Sequence, residues 1–440
     1  MNQFFKFTGL KFWLAFSVVF LTGFFSVKIS AQTGCDCVPN EVIFELAGAN
    51  NLAAVAAQYK LKPVPLGQYG TPPTYRMEID RTQTANTPTQ IIQAMQTDTH
   101  IAKPEVNRKL SSVERENLPW TLGRSWAIGR SWAIGGSQKG YFKQWFPDTI
   151  RLDQAQRISK GDNVIIAVLD TGIDLSHPAF AGRLVPGYDF VDNDADPSEA
   201  GVLRQGSYGH GTHVAGIAAL VAPNAKIMPI RILDTNGEGE LWRITAAVIW
   251  AANHGATVIN MSFGYPSEVR VLHDLIESGS SGTTLNGKRF NEISTNRFAA
   301  IIGAGNGGNA IPIYPAAEDL DASIGVGAST RKDCVANFST YERSWVEVTA
   351  PGENIISALP NGRYGVWSGT SMSAPVVAGV AALVKSRNQN LTPRELLEWI
   401  KETSVDKRYN NGNTRVKRVD AFCAVTNNQV CPIPDNSPCN

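Results

Sequence analysis

Apolar positions along this 440-residue chain fall into three textures. Residues 12–26, FWLAFSVVFLTGFFS, are almost wholly apolar, follow a segment with Lys6 and Lys11 and no acid, and run into small residues ending at Ala31. That run is shorter than the roughly 20 residues a membrane span needs, so it predicts a secretory signal over residues 1–31 and not an anchor. No later apolar run approaches bilayer length, so no transmembrane span is expected. A second texture covers residues 40–110. Strand-like EVIFELA and TYRMEID alternate with helix-like LAAVAAQYK and TPTQIIQAMQ and end in an extended stretch from His100, which predicts a small α+β unit. Residues 111–140 hold RSWAIG twice, at 124–129 and 130–135, among Gly, Ser and charged residues, and read as a linker.

The third texture, residues 141–424, consists of short β-rich apolar runs separated by small-residue helical runs. VIIAVL, KIMPIRIL, TVINMSF, FAAIIGA, SIGVGA and WVEVTA are the expected strands, and LWRITAAVIWAANHG and SMSAPVVAGVAALVKSRN the expected helices. Continuous apolar strands alternating with helices predict an α/β fold with a mostly parallel sheet buried on both faces. A further helix should start at Thr392-Pro393-Arg394-Glu395, where Thr caps, Pro fits the first turn and Glu completes a capping box. Residues 425–440 form a turn-rich, cysteine-containing tail.

Composition adds limits. With 43% hydrophobic residues, 18% charged and 40 Lys plus Arg against 39 Asp plus Glu, the chain is globular, and its net charge of +1 gives no phosphate-binding face, so no nucleic-acid partner is expected. Six cysteines suit an oxidising destination, extracellular or periplasmic. Cys35 and Cys37 lie near the signal, and Cys334, Cys423, Cys431 and Cys439 far downstream; processing between the groups leaves four, whose pairing the sequence leaves open, with an unpaired Cys334 as the alternative. Gln32 stands where a lipidated Cys35 would have an aliphatic residue three positions before it, which argues against a lipid anchor.

Three strings, LDTGID, HGTHVAG and GTSMSAP, each end a strand or open a helix, where an α/β sheet presents its working residues. They bring Asp170, His210 and Ser371. A serine hydroxyl is a weak nucleophile at neutral pH and needs an imidazole to take its proton, and the imidazole needs a carboxylate to fix its tautomer. Singly, an Asp after a strand, a Ser at a helix start or a Gly-Asn-Gly is ordinarily a cap or a turn. Together, in the order Asp, His, Ser, they make a specific signal. His213 reads as structural, and a His210/His213 metal pair lacks a third ligand nearby. The glycine run at 303–308 is followed by Ile311-Pro312-Ile313-Tyr314-Pro315, not by a helix and an acid, so a nicotinamide cofactor is not expected.

Over about residues 141–405 the chain resembles the subtilisin-like serine proteases, on Asp170-Thr171-Gly172, His210-Gly211-Thr212-His213 and Gly369-Thr370-Ser371-Met372 with Ala374-Pro375. The resemblance implies an endopeptidase working through an acyl-enzyme, with Ser371 as nucleophile, His210 as general base and then acid, Asp170 as orienting carboxylate and Asn306 in the oxyanion hole. No cofactor is implied for the chemistry. A peptide or protein substrate would lie as an added strand between Gly237-Glu238-Gly239 and Ser262-Phe263-Gly264, with a first pocket walled by Ser262 to Gly264 and by Gly303, Ala304 and Gly305. Ile313 stands at its floor, where deep-pocket members carry Gly, so small or medium uncharged residues are expected before the scissile bond. Residues 266–296 are longer than the matching loop of short subtilisins and could add a loop over the cleft. The string DFVDNDAD resembles a thermitase-type calcium loop, with Asp189, Asp192 and Asp194, and Asp196 beside them, as candidate ligands for a structural Ca²⁺. The unit before the linker resembles a propeptide, an intramolecular inhibitor removed by self-cleavage between about Asn107 and Gly140, with the stretch from His100 to Glu105 in the cleft. Two other readings stay open: a maturation protease or transpeptidase dedicated to one partner, and a peptide-binding subtilisin fold without turnover.

Overall fold

A computed structural model describes residues 36–48, 51–70, 73–112, 134–202, 206–264, 266–281, 297–318, 320–409 and 414–426. The expected signal, the paired Trp126 and Trp132, and Cys35, Cys431 and Cys439 lie outside them. No helix among the described residues is long and apolar enough to cross a membrane.

The first unit contains β1 (Cys37–Leu46), α1 (Leu52–Tyr59), β2 (Gly67–Tyr69), β3 (Thr74–Glu78), α2 (Pro88–Met95) and β4 (Ile101–Ser112). The strands run in the order β4-β1-β3-β2, all antiparallel. Local chemistry sets the helix ends. Thr87 and Gln90 form a reciprocal capping box ahead of α2, and α1 stops where Lys60 turns left-handed at φ 57. The apolar faces close on Val42, Phe44, Met77, Ile79 and Met95, a core of the unit's own.

The larger unit is built on β5 (Ile165–Asp170), β6 (Lys226–Arg231), β7 (Glu238–Glu240), β8 (Val258–Met261), β9 (Phe263–Gly264), β10 (Ala299–Gly303), β11 (Ser323–Ser329) and β12 (Val348–Pro351). A hairpin, β13 (Ile355–Leu359) and β14 (Arg363–Trp367), and a terminal pair, β15 (Val405–Tyr409) and β16 (Thr414–Arg418), complete the strands used here. The main sheet runs β15-β16-β12-β11-β10-β8-β5-β6, with Tyr188–Asp189 beyond β6, and every pairing from β16 to that edge is parallel. This is the parallel α/β sheet expected from the apolar runs. Its helices are α3 (His210–Val221), α4 (Leu241–Asn253), α5 (Arg270–Ser281), α6 (Thr370–Arg387) and α7 (Pro393–Glu402). The Thr392/Glu395 capping box opens α7 as its spacing predicts. The amphipathic α5 and both hairpins were not among the expected elements.

Alternation along the strands sorts the helices into two layers. Ile166 and Val168 of β5 join one core with α3, α6 and α7, whereas Ala167 and Leu169 join the other with α4 and α5. On the first face α3 and α6 touch directly: a Cβ added at Gly379 would lie 2.4 Å from the Val221 Cβ. No Cβ pair approaches so closely, so these helices can meet at this distance only over a glycine. Gly379→Ala therefore has to push α3 from α6, and the overpacking should cost about 1–3 kcal/mol, read as a lowered midpoint in urea with an unchanged slope.

Candidate active site

The sheet changes direction beside β5, because the chain leaves it for β6 on one side and later returns to β8 on the other. Such a switch opens a crevice at the carboxyl ends of the strands. Asp170 ends β5, Ser262 follows β8, Gly303 ends β10, and Ala304, Gly305 and Asn306 follow it, so all of them reach this crevice.

Asp170 is fully buried. Its Oδ1 accepts from the Thr171 N–H at 2.8 Å and lies 2.7 Å from His210 Nδ1. His210 is the first residue of α3, entered through Gly209 at φ 90. Close approach of α3 to the Asp170 loop depends on the residue after the histidine, since a Cβ at Gly211 would come within 2.1 Å of the Gly172 carbonyl and 3.0 Å of the Asp170 Cβ. His213, one turn on, is buried, and burial drives its imidazole down to about 3, so it is neutral and structural as expected. Its ring stacks on Trp367 at 5.0 Å, and the same indole lies 5.6 Å from the His210 ring.

Trp367 closes β14 four residues before Ser371, which links the histidine to the serine side of the site. Ser371 is the second residue of α6, where backbone N–H groups point outward and the helix dipole favours negative charge. Pro375 cannot donate to the Ser371 carbonyl four residues back, and that carbonyl accepts instead from Ser262 Oγ at 3.3 Å. Ser371 Oγ in turn donates to the Ser262 carbonyl at 3.4 Å. Asn306, also fully buried, accepts at Oδ1 from the Thr370 N–H at 2.8 Å, which fixes its amide so that the NH₂ is turned away from Thr370. Thr370 Oγ1 accepts from the Gly305 N–H at 3.1 Å, tying the Asn306 loop to the start of α6. A buried Asp–His pair, a serine at a helix start and an oriented amide can together carry nucleophilic acyl transfer.

The predicted cleft strands are β7 and β9, and a strand already lies between them. Lys109, Leu110 and Ser111 pair antiparallel with Glu240, Gly239 and Glu238, while Ser111 and Ser112 pair with Gly264 and Phe263. This corrects one expectation. The stretch from Ile101 to Val106 pairs with β1 inside its own unit, and the cleft is filled further along, by 109–112. The strand also runs past the boundary at 110, because the cleft supplies partners on both edges. Leu110 packs into the core formed by Leu233, Leu241, Ile244 and Phe263. Gly305 at φ +102 leaves room for Ile313: a Cβ there would meet the Ile313 Cγ1 at 2.9 Å, which sets the isoleucine directly against the loop before Asn306.

The acidic loop is arranged differently from the calcium cage expected there. Arg231 Nη1 bridges Asp189, at 2.5 Å, and Asp192, while Asp189 Oδ1 accepts from the Val191 and Asp192 N–H groups and Asp194 Oδ1 from the Asp196 N–H. Among the described residues no group of three or more His, Cys, Asp and Glu side chains is placed to hold a metal. The charge of Asp189 and Asp192 is met by a guanidinium 42 and 39 residues away in sequence, which no local motif announces. Of the expected loop over the cleft, Arg270–Ser281 forms α5 and 282–296 lie outside the described residues. Sequence reasoning also missed Trp367 and Asn260, whose Nδ2 donates to Ser262 Oγ at 2.9 Å. Thr370 stood in the string that carries Ser371, but its bonds to Gly305 and Asn306 were not read from it.

The subtilase family profile matches residues 161–421. The chain is 37% identical over 301 residues to the thermophilic serine proteinase of Bacillus sp. strain AK1, covering 66% of this chain and 68% of that protein. Thermitase of Thermoactinomyces vulgaris is 36% identical over 294 residues, 64% of this chain and 96% of the relative. Among solved structures, a cold-adapted subtilisin-like serine proteinase superposes with a TM-score of 0.51 at 33% identity, over 60% of this chain and 90% of its own. With the fold, the carboxyl-end crevice and these likenesses in agreement, the chain belongs to the subtilase family and is a subtilisin-like serine endopeptidase.

Proposed function

We propose that the chain is an exported, self-processing zymogen whose N-terminal unit is a propeptide and whose triad is Ser371, His210 and Asp170. Ser371 Oγ attacks the scissile carbonyl and gives its proton to His210, and the Asn306 amide with the Ser371 N–H receives the charge developing on oxygen. His210 then protonates the leaving amine, and water releases the acyl-enzyme by the reverse sequence. Export is supported by the apolar run before Ala31 and by the absence of a free cysteine among the described residues.

The observation that carries the reading is β4, lying between β7 and β9 as a substrate strand would. Its register also names a bond. Gly264 faces Ser111 and Phe263 faces Ser112, so the next cleft residue, Ser262, corresponds to position 113. Ser262 is the residue in contact with Ser371. Val113 and Glu114 are outside the described residues; continuing the register by one position makes theirs the expected bond of cleavage, with Leu110 three residues before Val113. Valine is a medium, uncharged residue, as expected before the scissile bond.

The unit also caps the enzyme's helices. Glu240, at the start of α4, offers no side-chain cap, and Asn107 Oδ1 accepts from the Trp242 N–H at 3.1 Å. The Glu105 carboxylate accepts from the Arg270 and Val271 N–H groups at 3.1 and 3.2 Å at the start of α5. Lys103 pairs with Asp274, and the Tyr69 ring lies tilted against Trp242 with centroids 4.5 Å apart. An inhibitor bound this way would act as a template for the two helices it caps.

Intact mass followed over time on residues 32–440 should show the wild type losing a fragment near 10 kDa and gaining a new terminus at Glu114, while Ser371→Ala stays whole. Loss of the fragment from both proteins would refute self-processing, and a different terminus would refute the register. Ile313→Gly should widen the first pocket and raise kcat/KM for peptides with Phe before the scissile bond relative to Ala by on the order of tenfold. In Glu105→Ala/Asn107→Ala, each lost cap should cost about 1 kcal/mol of binding. The delay between bond cleavage, read by mass, and the appearance of peptidase activity should shorten accordingly.

A further inference from the structure

Besides Asp170, a second carboxyl group is turned inward at the start of α3, and the triad does not use it. Glu199 lies in the segment after the acidic loop, held to the residues that follow Asp170 by a parallel bridge. The Ile173 N–H donates to the Pro197 carbonyl at 3.0 Å, and the Glu199 N–H to the Ile173 carbonyl at 3.1 Å. The approach is tight enough that a Cβ at Gly172, φ +103, would lie 2.6 Å from the Ser198 carbonyl. Part of Glu199 reaches the surface, but its Oε1 is buried. Its Oε2 accepts from the Thr212 hydroxyl at 2.8 Å and from the Thr212 N–H at 3.2 Å.

Thr212 lies two residues after His210, and its hydroxyl accepts in turn from the Asp174 N–H at 2.9 Å. Thr171, beside Asp170, accepts at its hydroxyl from the Gly211 N–H at 2.9 Å. The two threonines thus fasten the first turn of α3 to the loop that carries Asp170, and Glu199 is the acceptor that closes the arrangement. We propose that Glu199 is a positioning residue of the triad, a buried carboxyl group that holds the first turn of α3 against the Asp170 loop and whose charge sets how readily His210 takes a proton.

The titratable groups around it make the charge matter. Asp170 faces it from the end of β5, Tyr208 from the residues before α3, Asp174 from beyond Ile173, and His210 and His213 lie along α3. Among the described residues no lysine or arginine forms an ion pair with it. Burial pushes Glu199 up to about 7, the Thr171, Gly209 and Thr212 donors pull it down, and Asp170 pushes it up again. Its charge therefore changes within the range where a subtilase works. An ionised Glu199 adds negative potential at the Asp170–His210 pair and favours the imidazolium, whereas a protonated one does not. Only neutral His210 can take the serine proton, so the acid side of the rate profile belongs to Glu199 and His210 jointly.

This inference rests on the triad reading, and the test separates the two. On the mature enzyme, kcat and KM for a peptide anilide are measured from pH 5 to 9 for wild type, Glu199→Gln, Glu199→Ala and Thr212→Val. Glu199→Gln keeps an acceptor for Thr212 and loses the charge; its plateau should stay within about threefold while its acid limb moves to lower pH by on the order of 0.5 unit. Glu199→Ala loses the acceptor as well, and its kcat should fall on the order of tenfold or more, with KM changing less. Thr212→Val removes a donor from Glu199, keeps its carboxyl more protonated, and should move the limb in the same direction by less. This variant carries the test if Glu199→Gln does not accumulate as folded protein. Acid limbs that superimpose on wild type in both Glu199→Gln and Thr212→Val would overturn the proposal. Failure of a serine-directed phosphonate to label wild type at Ser371 would instead overturn the triad reading beneath it.

Discussion

A carboxylate with no solvent exposure is tolerable only where donors replace the water it has lost, and Asp170 has two: its neighbour's backbone N–H at 2.8 Å and the His210 ring at 2.7 Å. Much of the site follows from keeping that pair together. His210 must start a helix whose first turn touches the end of β5, which requires Gly211 where any side chain would strike the Gly172 carbonyl. The helix must then reach α6, which carries Ser371, and it does so where Gly379 lets Val221 come close. Ring contacts complete the link, since the half-buried Trp367 lies against both histidines four residues before the serine. The chemistry is thus a consequence of contact distances between backbone segments, and glycine sets several of them.

What the sequence made legible was the part written in local strings. Each strand that ends at the crevice is a continuous apolar run, because a parallel sheet is buried on both faces. Asp170, His210 and Ser371 sit at strand ends and helix starts within motifs of a few residues. The capping box of α7 was equally readable, since both partners lie within one turn. Residues that act across long separations left no such trace. Arg231 answers Asp189 from the next strand, Asn107 caps a helix 135 residues later, and Glu105 caps one 165 residues later. Glu199 is 13 residues from Thr212, and its segment contains only ordinary turn residues. The mistaken placement of the cleft strand has the same origin: extended character from His100 onward was visible, but which part pairs with β1 and which with the cleft depends on register against distant strands.

The register of β4 also joins two roles that are often treated separately. An added strand gains backbone hydrogen bonds from both edges of the cleft, a form of recognition that reads little side-chain sequence. Side-chain selection then falls to contacts made beside the strand, and here Leu110 packs among Leu241, Ile244 and Phe263. The same strand carries Glu105 and Asn107, so the segment that occupies the cleft is continuous with the one that satisfies exposed N–H groups at the starts of α4 and α5. On the proposed zymogen reading, inhibition and helix templating are coupled through one strand, and a cut near Ser371 would remove the connection that makes each half of the interaction intramolecular, so that the effective concentration holding the N-terminal unit in place would fall.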